Sequence, residues 1–170
     1  APLSRYDKTL PPHMFSQWGL ALGTELALQT SLNLVNVINQ GVSMNIYGEL
    51  PRNEKLQLSA KIDSFQEQDG VARLIVKMTT GTIQNPKLVE AFIHMAFLLP
   101  SFKKSKQNKV QPELDWKTQG QWYATQHDGF KFALLTGDFN PIHWISLAGK
   151  LSAFKMKVLH GFGMFVRSYE

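Results

Sequence analysis

Phe132-Ala-Leu-Leu-Thr-Gly-Asp-Phe-Asn-Pro-Ile-His143 is the stretch on which the reading of this 170-residue chain turns. It sets a carboxylate, Asp138, and an imidazole, His143, five positions apart, with Gly137, Asn140 and Pro141 around them. Glycine supplies unusual backbone angles, Asn bonds its own backbone, and Pro fixes φ, so the segment predicts an irregular, hydrogen-bonded loop. Such a loop makes a poor core element but can point two ionisable groups into one cleft. There they can activate a water or move a proton without touching each other. Asp138 with Asn140 also describes a capped turn, and His143 by itself a structural histidine.

Working outward, Gln121–Thr125 reads as a short strand and Asp128–Leu135 as a short helix with Asp128 available as N-cap. A further helix is expected over Trp144–Leu151. Val158-Leu-His-Gly-Phe-Gly163 then opens an apolar segment. A glycine at a helix start, here Gly161, leaves a free backbone N–H at the positive end of the helix dipole. Aimed at a carbonyl oxygen, that donor stabilises an enolate-like oxyanion. His160 could equally just order the loop. A metal held by Asp138, His143 and His160 is set aside, because their spacing matches no ligand pattern. His13, His94 and His127 are read as structural.

The segment at His160 echoes Leu10-Pro-Pro-His-Met-Phe15, where a histidine and an aromatic again enter an apolar helix. The echo suggests two degenerate copies of one unit. In the first, His13–Ile38 reads as a long buried helix running into a strand, with Gly19, Ala21 and Gly23 allowing close approach. Four strands follow: 35–49, Leu56–Ile62, Val71–Thr80 and Leu88–Leu99, with a tight turn at Gln68-Asp-Gly70. They are expected to form an antiparallel meander. Pro100–Pro112, with Lys103-Lys-Ser-Lys-Gln-Asn-Lys109, reads as a basic linker. The chain thus divides into 1–100, a linker at 101–112, and 113–170. In the second copy a helix begins at Gly161 with no strands after it, so that copy is expected to be incomplete, completed by further sequence or by a partner chain.

The bulk composition bounds this reading. With 44% apolar and 18% charged residues the chain is ordinary for a globular protein. It has no apolar run of the roughly 18–20 residues that would span a bilayer, and its start lacks a signal-peptide pattern. The lack of cysteine excludes disulfides, thiolate metal sites and a cysteine nucleophile, and suits a cytoplasmic setting. A net charge of +5 fits either a basic linker or an anionic partner. Nucleic acid is not indicated, since no zinc-finger or helix-turn-helix pattern occurs and no aromatics interleave the basic run.

The stretch Phe132–His143 resembles the signature of the MaoC-like dehydratases, which include the (R)-specific enoyl-CoA hydratases. That signature runs aromatic, spacer, aliphatic, Ser/Thr, Gly-Asp-x-Asn-Pro-aliphatic-His. Ala148–Phe154 resembles the helix and turn that follow it in the family, and Val158–Gly161 the His-Gly start of the family's central helix. The similarity from Leu10 to Pro100 is looser and resembles the non-catalytic half of double-hotdog members.

The resemblance implies an α+β hotdog fold, an antiparallel sheet wrapped around a long helix. It implies a double-hotdog arrangement whose second copy is incomplete. It also implies hydration of trans-2-enoyl thioesters to (R)-3-hydroxyacyl thioesters, with no cofactor beyond the thioester itself. Asp138 and His143 would be the catalytic pair and the Gly161 amide would polarise the thioester carbonyl. Asn140, His160, Phe139 and Trp18 would contribute to substrate binding, Asn140 by ordering the loop and Trp18 by shaping an acyl tunnel. The implied partner is acyl-CoA or an acyl carrier protein, on a homodimer with no membrane association. Two other readings stay open: a non-catalytic acyl-thioester binding or assembly module, and a hotdog thioesterase. The thioesterase usually keeps its carboxylate on the central helix, where only Glu170 is available.

Overall fold

The computed structural model describes residues 6–34, 37–103, 117–118, 120–152 and 154–169. The basic run after Lys103, with Glu170, lies outside the described residues. The chain enters through a two-residue strand, β1 (Thr9–Leu10), and a 3-10 turn at Pro12–Met14 that uses proline where its missing N–H costs nothing. Helix α1 (Ser16–Leu28) follows. Its buried positions are Ser16, Gly19, Gly23 and Ala27, a three-and-four spacing that makes one narrow stripe of small residues. That stripe lies on the side chain of Met78. A methyl group on Gly19 would sit 2.6 Å from the Met78 sulfur, and one on Gly23 would meet Met78 Cε. Only this stripe is buried: Leu28 and Ala21 are exposed. The helix is also shorter than expected, stopping at Leu28 rather than running to the strand that begins at Val37.

The main sheet contains β2 (Val37–Ile46), β4 (Gln57–Gln68), β5 (Val71–Gly81) and β6 (Val89–Leu98), all antiparallel neighbours. Its order is β2-β6-β5-β4, not the simple meander read from the sequence. The segment after β2 carries the chain from one sheet edge to the other. On the way, β3 (Leu50–Pro51) pairs with β1 and buries Leu50. The expected turn between β4 and β5 is present, with Asp69 and Gly70 at φ 53° and 73°. Positive φ at both central residues is the hairpin geometry that matches the twist of the flanking strands.

β5 lies at the centre, and Ala72, Leu74, Val76, Met78 and Thr80 alternate into the interior as period two requires. With Ala91, Ile93, Phe97, Phe15 and Ala27 they form the core between α1 and the sheet. On the outer face, Glu90 is buried under Tyr47, which donates its hydroxyl to Oε2 at 2.8 Å, and pairs with Lys77 and Lys87. The Lys77 hydrogen bond chiefly holds this carboxyl below the usual glutamate range.

The remaining elements are α2 (Asp128–Thr136), a 3-10 turn at Pro141–His143, α3 (Ser146–Leu151) and α4 (Gly161–Tyr169). Gln121–Thr125, read as a strand, forms none and is exposed, pairing with neither edge strand of the main sheet, β2 or β4. Asp128 is the first residue of α2 rather than its N-cap. Its carboxylate reaches back to accept the backbone N–H and hydroxyl of Thr125 at 2.9 and 2.7 Å. Helix α4 returns to the first half. Phe162 and Phe165 meet the Phe15 ring edge-on at 5.7 and 6.3 Å between centroids, and Tyr169 stacks on His13 at 4.5 Å. No described helix is long and apolar enough to cross a membrane.

Candidate active site

The loop after α2 is built as its residues dictate. Gly137 takes the left-handed conformation at φ 78° and closes α2 by donating to the Ala133 carbonyl at 2.8 Å. Asp138 Oδ1 accepts the Asn140 N–H at 3.2 Å, and Asn140 Oδ1 in turn accepts the Ile142 N–H at 3.3 Å. Two successive side-chain-to-backbone bonds thus fix the direction of the chain into the Pro141–His143 turn. Gly129 lies against this turn so closely that a methyl group there would collide with the His143 carbonyl oxygen.

Each histidine of the site is held through one nitrogen. His143 Nδ1 lies 2.9 Å from the Val158 carbonyl, and His160 Nε2 lies 2.9 Å from the Asp138 carbonyl. A carbonyl can only accept, so both nitrogens carry their protons. Neutral His143 therefore presents a bare Nε2. The His160 ring is buried, lying between the His143 ring at 3.8 Å and 30° and the Phe132 ring at 5.0 Å and 46°. Its Nδ1 is buried with no hydrogen-bond partner. Burial pushes the His160 imidazole below its ordinary value; the bond to the Asp138 carbonyl opposes this, and His143 beside it adds to the lowering. His160 thus works as a neutral wedge, with Asp138 Oδ2 3.8 Å from its Nε2.

The structure therefore brings Asp138, His143 and His160 together, with one donor atom of each within 4.8 Å of the others. Among the described residues these three are also the group that could hold a metal ion. Yet the histidine rings are stacked, so their in-plane lone pairs run side by side rather than converging. His160 Nε2 is moreover committed to the Asp138 carbonyl. The arrangement is better suited to moving protons than to ligating a cation.

Gly161 begins α4 directly after His160, and its N–H has no intrahelical acceptor. The other expected residues stand apart from the cluster's core. Asn140 serves the loop, and the Phe139 ring is exposed while its carbonyl accepts from Trp144 Nε1 at 3.2 Å. Trp18 donates its indole N–H to Thr80 Oγ1 at 3.3 Å, on the face of α1 toward the sheet. A cleft of about 220 Å³ opens beside His143 and is bordered by Gly129, Lys157 and Val158. A larger one, about 500 Å³, is bordered by Tyr6, Tyr47 and Tyr169 and by none of the cluster residues.

The sequence reading passed over three neighbours. Phe132 packs on His160, and Gly129 supports His143. Asn39 of β2 lies against Gly161, where a methyl group would be 2.8 Å from its Nδ2. Phe132 was visible as the aromatic of the motif. Asn39 gave no signal, because its proximity depends on how the two halves dock.

Residues 102–168 match the family model described as the MaoC like domain. No curated protein sequence matches the chain. Among solved structures it is similar to HtdX of Mycobacterium tuberculosis, with a TM-score of 0.73 at 13% identity over 94% of this chain and 62% of that one. A structure described as a MaoC-like dehydratase aligns with a TM-score of 0.72 at 13% identity, over 95% of this chain and 63% of the other. The full-length peroxisomal multifunctional enzyme type 2 of Drosophila melanogaster aligns at 0.65 with 18% identity, over 93% of this chain and 29% of that one. The chain thus spans less than two thirds of the length of each. Residues 102–168 are thus similar to a MaoC-like domain, and the chain has the hotdog fold of the structures described as MaoC-like dehydratases.

Proposed function

We propose that this chain hydrates trans-2-enoyl thioesters to (R)-3-hydroxyacyl thioesters, and catalyses the reverse dehydration, with Asp138 and His143 as the acid–base pair. One observation carries the reading: Asp138, His143 and His160 converge within 4.8 Å immediately before the N-terminus of α4. A water between the Asp138 carboxylate and bare His143 Nε2 gives one proton to the pair as its oxygen bonds C3. Electron density moves onto the thioester carbonyl oxygen, where the Gly161 N–H and the start of α4 meet it. The pair then returns the proton to C2, so that one water is consumed and no other reagent is needed. His160 positions both partners, Asp138 through its backbone and His143 through its ring. The scheme uses no cofactor, and the +5 net charge suits an anionic carrier, CoA or an acyl carrier protein, on a paired molecule. In this reading residues 1–100 serve as the non-catalytic half, joined through 101–112 to the catalytic half at 113–170.

Crotonyl-CoA hydration, followed as loss of enoyl absorbance, tests the proposal. Asp138→Asn keeps the shape of the loop and should lower kcat about 10²–10⁴-fold, the usual range for one positioned acid–base group. Wild-type protein that binds crotonyl-CoA without turning it over, with binding unaffected by Asp138→Asn, would instead indicate a thioester-binding module.

A further inference from the structure

Asn39 belongs to the half without the acid–base motif. It stands at a β-bulge where the register of β2 against β6 shifts between Asn39 and Gly41, with Gly41 at φ 135°. The bulge changes which residues face the core. Val37 before it and Val42 after it both pack on the same cluster, which an unbroken strand with period two could not achieve. Asn39 shares the parity of Val37 and so faces the side on which α4 lies, while remaining exposed.

Its amide is oriented. Oδ1 accepts the Gly41 N–H at 2.9 Å, and a flipped amide would set donor against donor, so the NH2 group is the end turned to Gly161. A methyl group on Gly161 would sit 2.8 Å from that Nδ2. Backbone geometry therefore puts Nδ2 within about 5.3 Å of the Gly161 nitrogen. One oxygen accepting two N–H bonds of ordinary length can bridge donors up to about 5.8 Å apart. The same helix start holds the buried, unpartnered Nδ1 of His160, so a polar group arriving here enters a place with unmet hydrogen-bonding capacity.

We propose that Asn39 Nδ2 is the second hydrogen-bond donor to the substrate's thioester carbonyl oxygen, alongside the Gly161 N–H. The active site is then shared: the second half moves the proton and the first half helps hold the charge. This rests on the hydratase reading above. It also gives the missing side chain at Gly161 a use, since a methyl group there would push Asn39 off the oxygen.

The test compares Asn39→Ala with Asn39→Asp in crotonyl-CoA hydration, with thermal unfolding of each. Asp keeps the acceptor for the Gly41 N–H and loses only the donor. A donor role predicts that Asn39→Asp loses at least as much kcat as Asn39→Ala, each about 10²-fold, with KM little changed. A merely structural role predicts the opposite order, with Asn39→Asp close to wild type in both kcat and Tm, and that result overturns the proposal. If wild-type protein does not hydrate crotonyl-CoA, the hydratase reading fails separately. The donor is then read from the infrared carbonyl stretch of bound butyryl-CoA. A shift to lower frequency in wild type that Asn39→Asp abolishes supports Asn39, whereas an unchanged stretch, or no binding, overturns it.

Discussion

His160 shows how one residue's burial sets the terms for its neighbours. It bonds the Asp138 backbone and stacks on His143, so a charge on it would repel the imidazolium that His143 would form on taking a proton in the proposed reaction. Burial keeps it neutral, lowering its proton affinity below the ordinary 6.5. The sign for stability follows from linkage. The unfolded chain, with the higher pKa, binds this proton first, so the contribution of neutral His160 is complete above about pH 6.5. It is lost as pH falls through the lowered folded value. Urea midpoints between pH 7.5 and 5 should therefore fall more steeply for wild type than for His160→Gln. Parallel curves would mean that His160 is not held neutral. The loop itself was legible at this scale because Gly137, Asp138, Asn140 and Pro141 each constrain their own backbone. The wedge was not, since His160 lies twenty-two positions from Asp138 and only packing puts them together.

At the scale of elements, α2 holds the site by backbone contact rather than by side chains. Its buried face is Gly129 and Ala133, small enough for the helix to press on the His143 turn. Gly129→Ala would set a methyl into the His143 carbonyl, where neither backbone can yield cheaply. Overpacking of this kind costs about 1–3 kcal/mol. The sharper expectation is functional: the displaced His143 should lose its bond to Val158, and crotonyl-CoA hydration should fall well beyond what the loss in Tm accounts for. A variant with wild-type turnover would show that α2 does not set the His143 position. The elements also mark where sequence reading failed. Gln121–Thr125 has strand-like side chains, but a strand exists only where another edge accepts its hydrogen bonds, and the segment pairs with neither edge strand, β2 or β4. The meander was misordered for a related reason. Strand pairing depended on where the connection through β3 led, and no alternation within a strand encodes that.

For the whole molecule the question is what couples the half that carries the Asp138–His143 loop to the half that does not. One physical link is Phe15, 1% exposed, which belongs to the core under the main sheet and also receives Phe162 and Phe165 of α4 edge-on. Phe162 and Phe165 pack against that same core, and each well-formed aromatic pair adds about 0.5–1.5 kcal/mol beyond burial. Phe15→Ala should therefore cost about 3–5 kcal/mol, the range for deleting a buried phenyl ring. It should do so in one cooperative transition, because α4 and the sheet lose the same partner. The comparison that isolates coupling is Phe162→Ala, which removes the contact from the α4 side and leaves the sheet core filled. If the halves are joined as the geometry indicates, the double variant should be less destabilised than the sum of the single ones. Phe162→Ala should also slow crotonyl-CoA hydration, because α4 carries Gly161 toward Asn39. Additive losses with undisturbed hydration would mean that the two halves only lie side by side, each stable on its own terms.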